Sequence, residues 1–194
     1  EQLKSLAVHI RKKSKPMIFA ANKMDVPTAD ANLKRMQKEF PDYPIIPVSA
    51  EAELTLRSAH KAGLITYLPG DGDFAAKGNL SPKQLEALEY IRKNVLKKYG
   101  NTGTQKVLNT AVLDLLKYMA IFPGGVNKLA DKDGNVMPDC WLLPPGSTAY
   151  NFAQKIHTDI AAHFVAAMDV KTKRKIGKDT PLKHRDVVEI LTSN

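Results

Sequence analysis

Leu3, Leu6, Ala7 and Ile10 recur at helical spacing, and Arg11, Lys12, Lys13 and Lys15 gather behind them. Cations suit the negative end of a helix and Pro16 cannot continue one, so residues 1–13 predict a first helix. Met17-Ile18-Phe19-Ala20-Ala21 is a short unbroken apolar run, the pattern of a strand buried on both faces. A helix is expected from Ala29 to Glu39, started by Pro27 or Thr28, with Leu33, Met36 and Phe40 inward. Tyr43-Pro44-Ile45-Ile46-Pro47-Val48 predicts a second buried strand, and a third helix runs from near Glu51 to His60 and stops at Gly63. Helices alternating with buried strands imply parallel pairing and crossover connections.

Gly70-Asp71-Gly72-Asp73 and Lys77-Gly78-Asn79 punctuate a loop. Ser81-Pro82-Lys83-Gln84 then has the form of a capping box with proline in the first turn. Leu85, Leu88, Ile91, Val95 and Tyr99 make the apolar stripe of that helix, and Gly100 its stop. A further helix is expected over Gln105–Leu116, with Val107, Leu108, Ala111, Val112, Leu115 and Leu116 inward. After Lys117 the texture changes. Tyr118–Phe122 and Trp141–Leu143 read as strands, broken by Pro123-Gly124-Gly125, by a turn at Asp133-Gly134-Asn135 and by Pro144-Pro145-Gly146. Ser147 or Thr148 can cap a helix to His157, and strands are expected near Phe164–Met168 and Val187–Leu191. The chain thus divides into an α/β part at 1–68, a helical segment at 69–116 and an α+β module at 117–194.

Composition narrows this picture. The 194 residues suit one to two domains at about 150 residues each. Hydrophobic residues are 43%, ordinary for a globular chain and too many for a disordered one. No run of about 18 apolar residues offers a membrane span. The opening Glu1-Gln2-Leu3-Lys4 has neither an initiator Met nor an apolar signal core, so the chain is expected to be an excerpt of a longer polypeptide. One cysteine, Cys140, excludes an internal disulfide framework and suits a reducing, cytoplasmic setting. A net charge of +9 favours a polyanionic partner.

The chemistry sits at strand ends. Asn22-Lys23-Met24-Asp25 follows the first buried strand and Ser49-Ala50 follows the second. Ligands of parallel α/β sheets bind beyond the carboxyl ends of the strands, so both loops face one crevice. The Asp25 carboxylate can accept two hydrogen bonds, from the ring N–H and the exocyclic amino group of guanine; adenine offers neither in that arrangement. The aliphatic stem of Lys23 can lie over the base face. Asn22 can bond across the loop or to the base, and the Ala50 N–H is placed for the guanine oxygen. A turn followed by a helix cap is the bland alternative for either loop.

These two motifs resemble the fourth and fifth guanine-recognition motifs of the P-loop GTPases. The text that follows them, Ser49-Ala50-Glu51-Ala52-Glu53-Leu54 and Ala62-Gly63-Leu64-Ile65-Thr66-Tyr67-Leu68-Pro69-Gly70-Asp71, is similar to the archaeal and fungal branch of the YchF/Obg-like GTPases. Asp133–Cys140, Pro145–Ala149 and Ile156–Asp159 resemble a TGS domain, a small β-grasp module. The resemblance implies the C-terminal remnant of a P-loop GTPase parallel sheet, then a helical segment, then a β-grasp, ubiquitin-like TGS domain. It implies a parent that binds GTP and GDP with Mg²⁺ and associates with ribosomes or tRNA. Many YchF relatives carry an altered fourth motif and prefer ATP; Lys23 and Asp25 keep the guanine pattern, so GTP is expected over ATP.

No G-x-x-x-x-G-K-[ST] loop occurs in the chain. The cradle for the β- and γ-phosphates, its lysine and its Mg²⁺-binding hydroxyl are therefore expected from a missing N-terminal part of the G domain. The chain holds the base-reading half of a site, and hydrolysis by it alone is not expected. Its two strands should expose an unpaired edge, and its own guanine binding should be weak or absent.

Other candidates are poorer. Asp131-Lys132-Asp133-Gly134-Asn135 begins like a calcium loop, but Val136 stands where glycine is needed and Leu142 where a bidentate Glu should be. His157 and His163 are off the spacing for two ligands on one helix face. Cys140 has no base placed beside it and reads as a small, semi-buried hydrophobe. The basic residues Lys83, Arg92, Lys93, Lys97 and Lys98 read as a solvated helix face. Lys171, Lys173, Arg174, Lys175, Lys183 and Arg185 are candidate RNA contacts, acting on backbone or shape because Tyr150, Phe152 and Phe164 look internal. The alternative to a GTPase fragment is a non-enzymatic module in which the α/β part is only a brace and the TGS region binds RNA or protein. A synthetase appendage is disfavoured, because a pair of guanine motifs has no place there.

Overall fold

The computed structural model describes residues 2–130, 133–136 and 139–193. The candidate cation loop begins at Asp131 and Lys132, and Met137-Pro138 belongs to the TGS resemblance; these four lie outside the described residues. The chain gathers into two compact units, Glu1–Ala111 and Val112–Asn194.

In the first unit, α1 spans Gln2–Ser14, β1 Phe19–Ala21, α2 Ala29–Glu39, β2 Ile45–Pro47 and α3 Ala50–Lys61. β1 and β2 pair in parallel, Phe19 opposite Ile45 and Ala21 opposite Pro47. The α-β-α-β-α order is the one the hydrophobic pattern predicts. Burial is less complete. Ile46 is buried, but Ala20 is exposed, because β1 has no strand on its other side among the described residues. The stripe Leu3, Leu6 and Ile10 of α1 is exposed as well. Phe19 packs its ring against Phe40 and Tyr43 instead.

A hairpin that the sequence does not announce follows, β3 at Ile65–Thr66 against β4 at Ala75–Ala76. Helix α4, Pro82–Ile91, starts at the expected capping box: Ser81 Oγ accepts from the Gln84 N–H and Gln84 Oε1 from the Ser81 N–H. It continues through a π-helical stretch, Arg92–Leu96, into α5 at Lys97–Tyr99, and Gly100 in the left-handed conformation ends it. The wider turn lets the neighbours Val95 and Leu96 both face the core. That core joins Leu56 of α3, Ile65, Tyr67 and Phe74 of the hairpin region, and Leu88, Ile91, Val95 and Leu96. Each such side chain contributes about 1.5–3 kcal/mol by leaving water. Leu85 is exposed, because α4 meets the core only from Leu88 onward. Helix α6, Thr104–Asn109, runs into a second π-helical stretch, Thr110–Leu115; Leu108 and Leu116 are exposed rather than inward.

In the second unit β5 is Met119–Pro123, β6 Trp141–Leu143, α7 Ala149–Ile156, α8 Thr158–Ala162, β7 Phe164–Asp169, β8 Arg174–Ile176 and β9 Val187–Thr192. The sheet order is β6-β5-β9-β7-β8, with β5 and β9 parallel and the other pairs antiparallel. Thr148 caps α7 reciprocally with Asn151. Phe152 of α7 is fully buried with Ile121, Leu143, Ala167, Leu182 and Val188. One helix laid on a mixed sheet of this order is the expected β-grasp. Tyr150 and Phe164 touch edge to face and are half-buried, so no aromatic platform for stacking bases is presented there.

Candidate functional site

The two strand-end loops meet. Parallel pairing carries β1 and β2 to one end: the Val48 N–H donates to the Ala21 carbonyl at 2.9 Å and the Met24 N–H to the Val48 carbonyl at 3.1 Å. Met24 is buried and pins the first loop, and Ser49 is buried and pins the second. Between them run two side-chain bridges. Ser49 Oγ donates to Asp25 Oδ1 at 2.8 Å, and the Ala50 N–H donates to Asn22 Oδ1 at 3.1 Å. Asn22 Oδ1 also accepts from the Lys23 N–H at 2.8 Å.

Lys23 holds φ 64° without being glycine. Left-handed backbone costs an ordinary side chain about 1 kcal/mol or more. The closed Asn22 turn sustains it and leaves the Lys23 side chain exposed beside Asn22. Ser49 serves twice, since its Oγ also accepts from the Ala52 N–H as the N-cap of α3. Asp25 is half-buried, and the Ser49 bond takes one of its roughly four acceptor positions. A hollow of about 200 Å³ lies beside it, lined by Asp25, Ser49, Ala52 and Tyr90 among others. One expectation is refined: the Ala50 amide already has an acceptor, so an incoming carbonyl would replace Asn22 Oδ1 there.

The sequence reading missed the outer supports. Tyr90 Oη donates to the Asp25 carbonyl at 2.9 Å. Lys98 Nζ pairs with Asp30 Oδ2 at 2.5 Å and, after it, Tyr99 Oη donates to Asp30 Oδ1 at 2.6 Å, which together hold the Asp30 carboxyl below its usual range. Buried Glu53 accepts from Tyr67 Oη and Thr102 Oγ1. No local pattern marks these residues, because their partners lie far away in sequence.

In the second unit, Lys171, Lys173, Arg174, Lys175, Lys183 and Arg185 are all exposed. The β7–β8 turn and the loop before β9 are joined where Lys171 Nζ donates to the Arg185 carbonyl at 2.7 Å and the Val170 N–H to the Val187 carbonyl. Lys171, Lys173, Lys183 and Arg185 therefore share one end of the sheet. Arg174 and Lys175 are neighbours on edge strand β8, so they point to opposite faces. Lys117, Lys173 and Arg185 all have positive φ. Asp169 organises the turn, and the Thr172 hydroxyl, first among its donors, lowers its pKa.

His157 and His163 bind backbone within their own helix region, through the Asp159 N–H and the Asp159 carbonyl. Cys140 is exposed rather than semi-buried, and desolvation raises its thiol pKa, away from the thiolate. Among the described residues no group of three His, Cys, Asp or Glu could hold a metal ion, and no helix is long and apolar enough to cross a membrane.

Comparison with known proteins also gives two parts, although the first reaches beyond Ala111 and through β5. Residues 20–125 match the family model described as Obg-like GTPase YGR210-like, G4 motif-containing domain, and residues 128–192 match the TGS domain. The chain is 45% identical over 194 residues to the uncharacterized GTP-binding protein MJ1332 of Methanocaldococcus jannaschii, covering 100% of this chain and 49% of that protein. It is 30% identical over 151 residues to the uncharacterized GTP-binding protein C428.15 of Schizosaccharomyces pombe, 73% of this chain and 37% of that one. A crystal structure of a GTP binding protein from Pyrococcus horikoshii OT3 matches with TM-score 0.70 at 39% identity, over 96% of this chain and 48% of that chain. The chain spans about half the length, or less, of these relatives.

Proposed function

This chain belongs to the YGR210-like Obg-like GTPases, and from that premise we propose that it supplies the guanine-reading half of a GTP- and GDP-binding site. The observation that carries the reading is the meeting of the two loops, with Ser49 bonded to Asp25 and the Ala50 amide to Asn22. Asp25 accepts from the guanine ring N–H and exocyclic amino group, and Lys23 covers one base face. The Ala50 N–H exchanges Asn22 Oδ1 for the guanine oxygen. Adenine would set an acceptor nitrogen against the Asp25 carboxylate, which favours GTP over ATP. The β- and γ-phosphates and Mg²⁺ belong, on this reading, to a phosphate-loop half supplied outside these residues. Among the described residues no group of three His, Cys, Asp or Glu could hold the metal.

Asp25→Asn tests the proposal in the whole protein that carries this chain. A hydrogen bond to a charged group is worth about 1.5–3 kcal/mol, so GDP affinity should fall roughly ten- to a hundredfold with the fold intact. Unchanged calorimetric affinity would overturn the reading. The 194-residue chain by itself should bind GDP more weakly than micromolar; micromolar binding would overturn the half-site description.

The basic sheet end of the second unit favours a companion role as an RNA contact, with ribosomal RNA or tRNA as the partner in the cytoplasm. Its lysines and arginines would meet phosphates, and affinity should fall steeply as salt rises. RNA affinity indifferent to salt would count against it.

A further inference from the structure

We infer that the Asn101-Thr102-Gly103 turn is the positioning element of the purine site: it fixes the Ser49-Ala50 loop and thereby the aim of the Ala50 amide and, through Ser49 Oγ, of the Asp25 carboxylate that would meet the exocyclic amino group. The inference rests on the guanine reading above and adds residues to it that no motif contains.

Ser49 is held from both sides. Its Oγ reaches Asp25, and its N–H donates to the Thr102 carbonyl at 2.9 Å. Both residues are 1% exposed, so water cannot substitute for that bond. Gly103 lies directly on the last residue of β2. A Cβ there would stand 1.9 Å from the Pro47 carbonyl oxygen and 3.0 Å from Val48 Cα, and φ is +83°. Only glycine allows this approach. Asn101 Oδ1 closes the turn by accepting from the Gly103 N–H at 2.8 Å.

The turn is also tied to α3, the helix that Ser49 caps. Thr102 Oγ1 donates at 2.6 Å to Glu53 Oε2, which also accepts from Tyr67 Oη at 2.8 Å. Glu53 is 5% exposed, and a buried carboxylate that loses a donor is costly. Tyr90 of α4, an exposed side chain, donates its hydroxyl to the Asp25 carbonyl. The segment from α4 through Gly103 therefore grips both base-reading loops, and a shift of this segment would misaim the carboxylate and the amide together.

The test compares Thr102→Val, Thr102→Ser and Gly103→Ala in the whole protein carrying this chain. Affinities are read for GDP and for inosine diphosphate, which lacks the exocyclic amino group; thermal unfolding is measured in parallel. Exchange of the Ser49 amide is read in the chain without nucleotide. Thr102→Val should weaken GDP about tenfold and shrink the preference for GDP over inosine diphosphate, and Thr102→Ser should restore both. Gly103→Ala should speed Ser49 amide exchange about tenfold or more. If Gly103→Ala does not fold, the Thr102 pair and its amide exchange decide. Wild-type affinity and preference in Thr102→Val, or lost stability with the preference unchanged, would overturn the inference. If Asp25→Asn is also silent, the guanine reading has failed; if Asp25→Asn acts and Thr102→Val does not, only the positioning role has failed.

Discussion

The two units place their cores differently with respect to their sheets. In Val112–Asn194 the five-stranded sheet is the core: Ile121, Ala167 and Val188 of three strands enclose Phe152 of α7. In Glu1–Ala111 the core lies among α3, the β3–β4 hairpin and α4, and the strands β1 and β2 that carry the candidate site stand outside it. The second unit is therefore held chiefly by apolar burial. The two loops of the proposed guanine site are held by directed polar bonds, those of Ser49, Asp25, Asn22, Tyr90 and Thr102. Hydrophobic packing tolerates small displacements of its members, whereas a hydrogen bond is lost when its angle fails. A site that must discriminate one purine edge from another is better built in the second way.

The contrast can be broken at its strong end. Phe152→Ala empties the centre of the second unit and should cost about 3–5 kcal/mol, measured by urea unfolding. A cost below about 1 kcal/mol would mean that the sheet is not its own core.

Alkaline titration sharpens the polar side. Burial, and after it the Glu53 carboxylate, push the Tyr67 phenol up to about 12. The folded state thus prefers the neutral phenol. Its contribution is full below about pH 10, the unfolded value, and is lost as pH rises through about 12. The first unit should weaken across that window, and Tyr67→Phe should flatten the loss while costing about 1–3 kcal/mol at neutral pH, because the buried Glu53 carboxylate keeps only the Thr102 donor of the two. An equal alkaline loss in Tyr67→Phe would rule this group out.

The smallest effect separates stability from function at one residue. Lys173 sits at φ 56°, so Lys173→Gly should leave the second unit unchanged or stabilise it by up to about 1 kcal/mol. The same change should lower RNA affinity and reduce its salt slope by about one. Stability lost with RNA affinity retained would show that the basic end is only a solvated surface.

Much of this was legible from residue pattern. Helix α2 at Ala29–Glu39 and strand β6 at Trp141–Leu143 have the bounds the pattern gives, because a clean apolar period and flanking breakers coincide there. The capping box at Ser81 and the cap at Thr148, one of the two residues offered for it, form because they are local, satisfied within one turn of chain. What escaped is non-local or slight. The β3–β4 hairpin has two residues on each side, too few for an alternation to register. Edge strand β8, Arg174–Ile176, hides inside a run of charge, and α8 is barely more than a turn. The π-helical stretches add a residue that no fixed period anticipates. At the candidate site the sequence order shows Asn22, Lys23, Asp25, Ser49 and Ala50. It does not show Tyr90 or Thr102, whose partners lie 65 residues away at Asp25 and 49 residues away at Glu53.

Gly103 has a meaning for descent as well as for packing. With the Pro47 oxygen filling the space any side chain would need, every replacement must first move the backbone. Neighbouring positions on the surface can drift one at a time, while this one can change only together with the tip of β2. In diverged members of the lineage, a glycine just past the helix stop should outlast much of the text around it, and where it has gone the Ser49-Ala50 loop should have been rewritten too.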